Sequence, residues 1–143
     1  MQPDEILVAL LGRGATVVRY KKGSGSEVDV TLGRNRQARI PTDRILLATG
    51  EIAKTSSDFE RFKNGAAKIA NSLDLNTAWD SLVGETESVD IYRLSELLWA
   101  SGHDTTQLIA LSIHLEQLTD LFSREGTIYL VKDRATVNAI RDR

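Results

Sequence analysis

The spacing of apolar residues changes once along this chain, near Glu51, from a period of two to one between three and four. In "SEVDVTLG" (26–33), Val28, Val30 and Leu32 alternate with Glu27, Asp29 and Thr31, the pattern of a strand with one buried face. In "TSSDFERFKNGAAKIANSLD" (55–74), Phe59, Phe62, Ala66, Ile69, Ala70 and Leu73 recur at steps of three and four, which predicts an amphipathic helix with Ser56 or Ser57 as N-cap. A chain with such a switch is an α+β protein whose strands come first.

Before the switch, "EILVALLG", "ATVVRYKK", "SEVDVTLG", "RQARIP" and "ILLAT" are short Val/Ile/Leu-rich runs. The segments between them, "RG", "GSGS", "GRN" and "PTDR", are turn signals that join sequential antiparallel strands. Five such strands, with one helical turn over Pro41–Arg44, predict a small SH3-like β-barrel over residues 1–50. The amphipathic helix occupies 51–75 as a connector. Beyond it come "NTAWDSLVG", capped by Asn76 and closed by Gly84, "DIYRLSELLWASG", capped by Asp90, and "DTTQLIALSIHLEQL", capped by Asp104. A hairpin follows in "LFSREGTIYLVKD", turning at Arg124-Glu125-Gly126. Helix, helix, helix, hairpin is the order of a winged helix, so 76–143 reads as a winged-helix domain and the start of a further helix.

Charge divides the chain in the same place. Residues 1–50 hold eight Lys/Arg against five acids, and the remaining residues hold ten against fifteen. Arg13, Arg19, Lys21, Lys22, Arg34, Arg36, Arg39 and Arg44 lie on predicted turns and exposed strand faces, where they are candidates for contact with single-stranded RNA phosphates. The contact is expected to be weak, because Tyr20 alone among them offers a base a stacking platform. A nucleotide-binding loop is excluded by order: Lys21 and Lys22 precede "GSGS", which leads into a strand rather than a helix.

The third helix of the predicted winged helix is unsuited to reading DNA. From Leu94 to Ser123 there is no Lys or Arg, while Glu96, Asp104, Glu116 and Asp120 are acidic, so approach to duplex phosphates is repulsive and no sequence-specific DNA binding is expected. The same helix has apolar residues on more than one stripe, with Ile109 and Ile113 beside Leu108, Leu111, Leu115 and Leu118. That surplus marks Ile109 and Ile113 as a protein interface, with another protein or with another domain of the same one.

Catalytic and metal-binding candidates are few. The chain has no cysteine, hence no disulfide, thiolate ligand or cysteine nucleophile. His103 and His114 are eleven positions apart and lack the i, i+4 spacing of a helical metal site. Asp74 and Asp80 sit where carboxylates serve as helix caps. The N-terminal apolar run follows acids and is too short for a signal peptide or membrane span, so no membrane partner and a cytoplasmic location are expected.

The basic barrel together with "NTAWDSLVGETESV", "YRLSELLWASG" and "LTDLFSREGTIYLVKD" resembles the N-terminal region of RNase II/RNase R-type exoribonucleases, in the cyanobacterial and plastid-like branch. There an SH3-like barrel and a winged helix stand where other members have cold-shock domains. Trp79, Leu94 to Trp99, Leu108 to Leu118 and Tyr129 match its Trp-containing helix, "LxELLW" helix, leucine-rich helix and wing aromatic. The resemblance implies a non-catalytic RNA-binding accessory module of a 3′–5′ exoribonuclease, with the winged helix packed on the catalytic domain or another protein. The family's magnesium ions belong to an aspartate-rich catalytic domain that these residues do not match, so no cofactor is expected in this chain. The alternative is a protein–protein adaptor with no nucleic-acid role. The start at Met1 and the break in a helical pattern at "NAIRDR" fit the leading fragment of a longer protein, the alternative being a stand-alone relative that lost its enzyme.

Overall fold

The computed structural model describes the whole chain except Arg13, Arg34, Asn35, Ser101 and Arg143. The first third is a five-stranded antiparallel sheet of β1 (Glu5–Leu11), β2 (Gly14–Ser24), β3 (Glu27–Gly33), β4 (Arg36–Pro41) and β5 (Ile45–Ile52), with a single 3-10 turn, Thr42–Arg44, before β5. The strand order is β4-β3-β2-β1-β5. Then come α1 (Ser56–Ser72), α2 (Asn76–Leu82), β6 (Ser88–Asp90), α3 (Ile91–Leu98), α4 (Thr105–Gln117), β7 (Phe122–Glu125), β8 (Ile128–Val131) and α5 (Arg134–Arg141). The three short strands form a second sheet in the order β6-β8-β7.

Local chemistry explains where the helices begin. Asp90 accepts the Arg93 N–H, and Asp104 with Gln107 forms a reciprocal capping box at 2.8 and 2.9 Å. Two starts differ from expectation. The cap of α1 is Thr55, whose hydroxyl accepts the Asp58 N–H, rather than Ser56 or Ser57, which already lie inside the helix. At α2 the N-cap position is Leu75, and it is Asp74 that accepts the Asn76 N–H at 2.9 Å. The hairpin turn is centred one residue later than expected, on Gly126–Thr127, with Gly126 at φ 66°. β6 was not foreseen: it is three residues long and has one buried apolar side chain, Val89, too little for a periodic signal.

The large sheet has two differently covered faces. Leu7, Ala9, Val18, Val28, Val30 and Ile40 form a buried cluster drawn only from the five strands, so the sheet curls over its own inner face. On the outer face, Ile6, Val8, Val17 and Leu47 join Phe59, Ile109, Leu111 and Phe122 in one continuous core with the helices. Consequently Ile6 through Ala9 in β1 are all fully buried, and alternation disappears there.

α4 is the centre of that shared core. It packs on α1, α3 and β7 and also on β1, β2 and β5. From Leu108 to Leu115 only Ile113 escapes full burial. Each large apolar side chain so buried is worth about 1.5–3 kcal/mol relative to exposure. α1 reaches α4 closely because Gly65 lacks a side chain: a Cβ there would lie 3.0 Å from Thr106 Cγ2. Trp79 secures the far end by donating its indole N–H to the Lys132 carbonyl at 2.7 Å, with the Arg134 guanidinium 5.3 Å from its ring.

Candidate nucleic-acid interface

Strand register brings several of the expected cations onto one face. Lys22 lies opposite Asp29, and Asp29 opposite Arg39, so the three side chains form a row across β2, β3 and β4 on the outer face. The next row inward is Arg19, Thr31 and Gln37. The helical cover ends near this inner row: Thr31 is buried, whereas Lys22, Gln37 and Arg39 are exposed.

The cations differ in availability. Arg19 is a bracket rather than a ligand arm: its Nη1 donates to the Ala53 carbonyl at 2.9 Å, Asp4 lies 3.8 Å away, and Phe59 sits against the guanidinium. Lys21 pairs with Asp4 at 3.1 Å. Asp4 adopts φ 66°, and its own backbone bonds to Tyr20 and Ala53 hold it in that left-handed conformation. Arg39 grips Asp29 with two hydrogen bonds, at 2.8 and 3.4 Å. That bond lowers the Asp29 pKa and raises that of Arg39. Lys22, Arg36 and Arg44 are exposed and make no ion pair among the described residues. Arg36 shares its strand parity with Ala38 and Ile40, and Arg44 closes the 3-10 turn, so the three do not form one row. Arg13 and Arg34 lie outside the described residues.

Tyr20 is not a stacking platform beside these cations. It packs on the inner cluster, and its hydroxyl lies where a side chain at position 23 would go, 2.8 Å from a Cβ built on Gly23. Two cations on α1 stand outside the expected phosphate-contact set: Arg61 and Lys68, seven residues apart, share one exposed stripe of a helix that packs along β3. Their spacing was the available signal. Arg61 is engaged by Asp58 at 3.3 Å.

Of the two partners expected for Ile109 and Ile113, a separate protein is overturned at Ile109, which has no exposed surface, while Ile113 is half-buried against the core. The second apolar stripe of α4 meets another part of the same chain, the strands β1, β2 and β5.

The remaining polar groups have structural roles. Ser95 and His103 lie 2.9 Å apart, as in a nucleophile–base pair, but the Ser95 hydroxyl is fully buried and donates to the Tyr92 carbonyl, which leaves no access for a substrate. Asp80 pairs with Arg134 at 2.8 Å. Tyr129 is pushed up to about 12 by burial, with Glu116 nearby, and stays a neutral phenol. Among the described residues no three His, Asp or Glu side chains gather to hold a metal. No described helix is long and apolar enough to cross a membrane.

No family model, curated protein or solved structure matches this chain.

Proposed function

We propose that the chain is a non-catalytic module that contacts the phosphates of single-stranded RNA through the part of its sheet that the helices leave uncovered. The observation carrying this reading is the set of exposed cations on β2, β4 and the 3-10 turn: Lys22, Arg36 and Arg44, without ion-pair partners among the described residues, and Arg39, held by the half-buried Asp29 carboxylate. Ammonium and guanidinium groups at such positions approach a phosphate without first losing a buried partner.

The fold reading behind it is an SH3-like barrel followed by a winged helix. Support comes from the meander order with one 3-10 turn before β5 and from a sheet that curls over its own residues. Further support is the succession α2, β6, α3, α4, β7, β8 with β8 central in the small sheet. In this reading the helix that would enter a DNA groove is the one the large sheet covers, so the winged helix serves as packing rather than as a reader. The module belongs with a 3′–5′ exoribonuclease of the RNase II/R type, acts in the cytoplasm, and leaves the magnesium chemistry to another domain. The exposed cations favour this over an adaptor that docks a protein through α4, because Ile109 has no surface to offer.

Fluorescence anisotropy with a labelled oligouridylate tests it. Binding is expected to weaken with salt, with log K falling by about 0.7 per phosphate neutralised against log salt. The Lys22→Gln, Arg36→Gln, Arg44→Gln triple variant is expected to flatten that slope by about 2 if each cation meets one phosphate. No binding at low salt, or a slope the triple variant leaves unchanged, would overturn the reading.

A further inference from the structure

A concave site separate from the exposed cations of the sheet is lined mainly by hydrogen-bond acceptors. Where the end of α1, the start of α2, the end of α4 and the end of α5 meet, a cleft of about 400 Å³ is lined by Asp74, Asn76, His114, Leu118, Asp120 and Arg141, with Leu73 and Leu121 behind them. We propose that this cleft binds an organic primary ammonium group on a short aliphatic chain, either a free alkylamine or a lysine side chain.

Arg141 organises the walls. Its Nε donates to Asp120 Oδ2 at 3.0 Å and its Nη2 to Asn76 Oδ1 at 2.7 Å, while Asn76 in turn donates to Asp74 Oδ1 at 2.9 Å from the backbone and 2.6 Å from the side chain. This chain of bonds engages one oxygen of each carboxylate. Asp74 Oδ2 and Asp120 Oδ1 have no partner among the described residues. The guanidinium is committed to the clamp, so it is not the group that receives a ligand.

His114 supplies the third acceptor. It is 6% exposed and yet lines the cleft. Ala70 lies near the ring and favours its protonated form, against the larger effect of burial. Burial lowers the pKa of the ring and so favours the neutral imidazole, in which one nitrogen carries a lone pair. Two carboxylate oxygens and one imidazole nitrogen match the three N–H donors of an ammonium. With His114 neutral, the two carboxylates outweigh Arg141 by one charge, which a monocation cancels. The aliphatic stem has its counterpart in Leu73, Leu121 and Leu118, the last 53% exposed.

The charged groups facing His114 are Asp74 before α2, Asp120 after α4 and Arg141 on α5. Protonating the ring removes an acceptor and adds a cation, so affinity is expected to fall on acidification.

Heteronuclear NMR of the full chain tests the site, with n-butylammonium chloride, Nα-acetyl-lysine amide and sodium butyrate as probes. Saturable shifts are expected at the His114 ring and the Asp74 and Leu118 amides, and none at the His103 ring. Butyrate is expected to give none. Asp74→Asn is expected to weaken n-butylammonium binding about ten-fold, as for loss of a charge-assisted hydrogen bond. Leu118→Ser, at an exposed position that does not support the fold, is expected to weaken it less and carries the test if Asp74→Asn unfolds. Tighter binding of the lysine amide points to a polypeptide lysine, and tighter binding of n-butylammonium to a free amine; both uphold the site. Absence of saturable shifts, an equal response to butyrate, or shifts confined to residues outside the cleft would overturn it, with no bearing on RNA binding.

Discussion

β1 and β3 are both seven residues long and belong to one sheet, yet they are buried in opposite ways. Ile6, Leu7, Val8 and Ala9 are inaccessible on both faces of β1, whereas β3 buries Val28 and Val30 toward the inner cluster and leaves Glu27 and Asp29 in contact with water. The difference lies in what covers the outer face. α4 lies across β1, β2 and β5, and the row Lys22, Asp29, Arg39 lies beyond its reach. Alternation in a strand therefore reports the number of covered faces, and in this sheet it separates the half that holds the molecule together from the half available to a ligand.

The sharpest way to break that comparison is on the covered side. Ile109→Ala is expected to cost about 2–5 kcal/mol, read from the denaturant midpoint, because the cavity forms where sheet and helices meet. Ile113→Ala, at a half-buried position of the same helix, is expected to cost less. Equal costs would mean that α4 is not covered by the sheet as described.

On the uncovered side the largest effect is on binding. The triple substitution at Lys22, Arg36 and Arg44 is expected to leave the unfolding midpoint almost unchanged while reducing RNA affinity and its salt dependence. A fall in stability comparable to that of Ile109→Ala would place these side chains in the fold instead.

A smaller effect separates the two sides by pH. Burial lowers the His114 pKa, so the unfolded chain takes up a proton before the folded one does as pH falls. The stability present above the ordinary histidine pKa of about 6.5 is therefore lost between that value and the lower folded pKa. Tm is expected to drop through this window in the wild type, and to drop less in His114→Gln.

The smallest expected effect concerns Asp29. Its carboxyl is held below the usual range by the hydrogen bond from Arg39, so the pair persists at neutral pH and is lost as pH falls through that depressed value. Asp29→Asn loosens the guanidinium and removes a charge that repels phosphate. A modest rise in RNA affinity at pH 7 is expected, and a fall would show that the pair itself orients Arg39 for binding.

What was legible in the sequence follows from the range of the forces involved. The strands, α1 and the caps at Asp90 and Asp104 are set by residues within a few positions of one another, and alternation, helical spacing and capping chemistry revealed them. The surplus apolar stripe of α4 was also visible, but its partner was not: Ile109 meets a sheet whose residues lie at the other end of the chain, and nothing in a local window distinguishes that contact from one with a separate protein. β6 went unseen because it depends on pairing with β8 rather than on its own three residues.

The cationic residues illustrate the same limit. Their number could be counted, but Arg19 and Lys21 are engaged by Asp4, and Arg39 by Asp29, through cross-strand geometry that a count of signs does not contain. The cleft around His114 left no motif at all, since Asp74 with Asn76, Asp120 and Arg141 are gathered from three separate segments.

Amide chemical shifts of the isotopically labelled chain, followed through a titration with oligouridylate at low salt, examine both sides of the sheet at once. Shifts are expected at Lys22, Asp29, Arg36, Arg39 and Arg44, with Val8 and Ile109 unmoved. Shifts centred on α3 and α4, or none in β2 to β4, would contradict the division between a covered and a binding face.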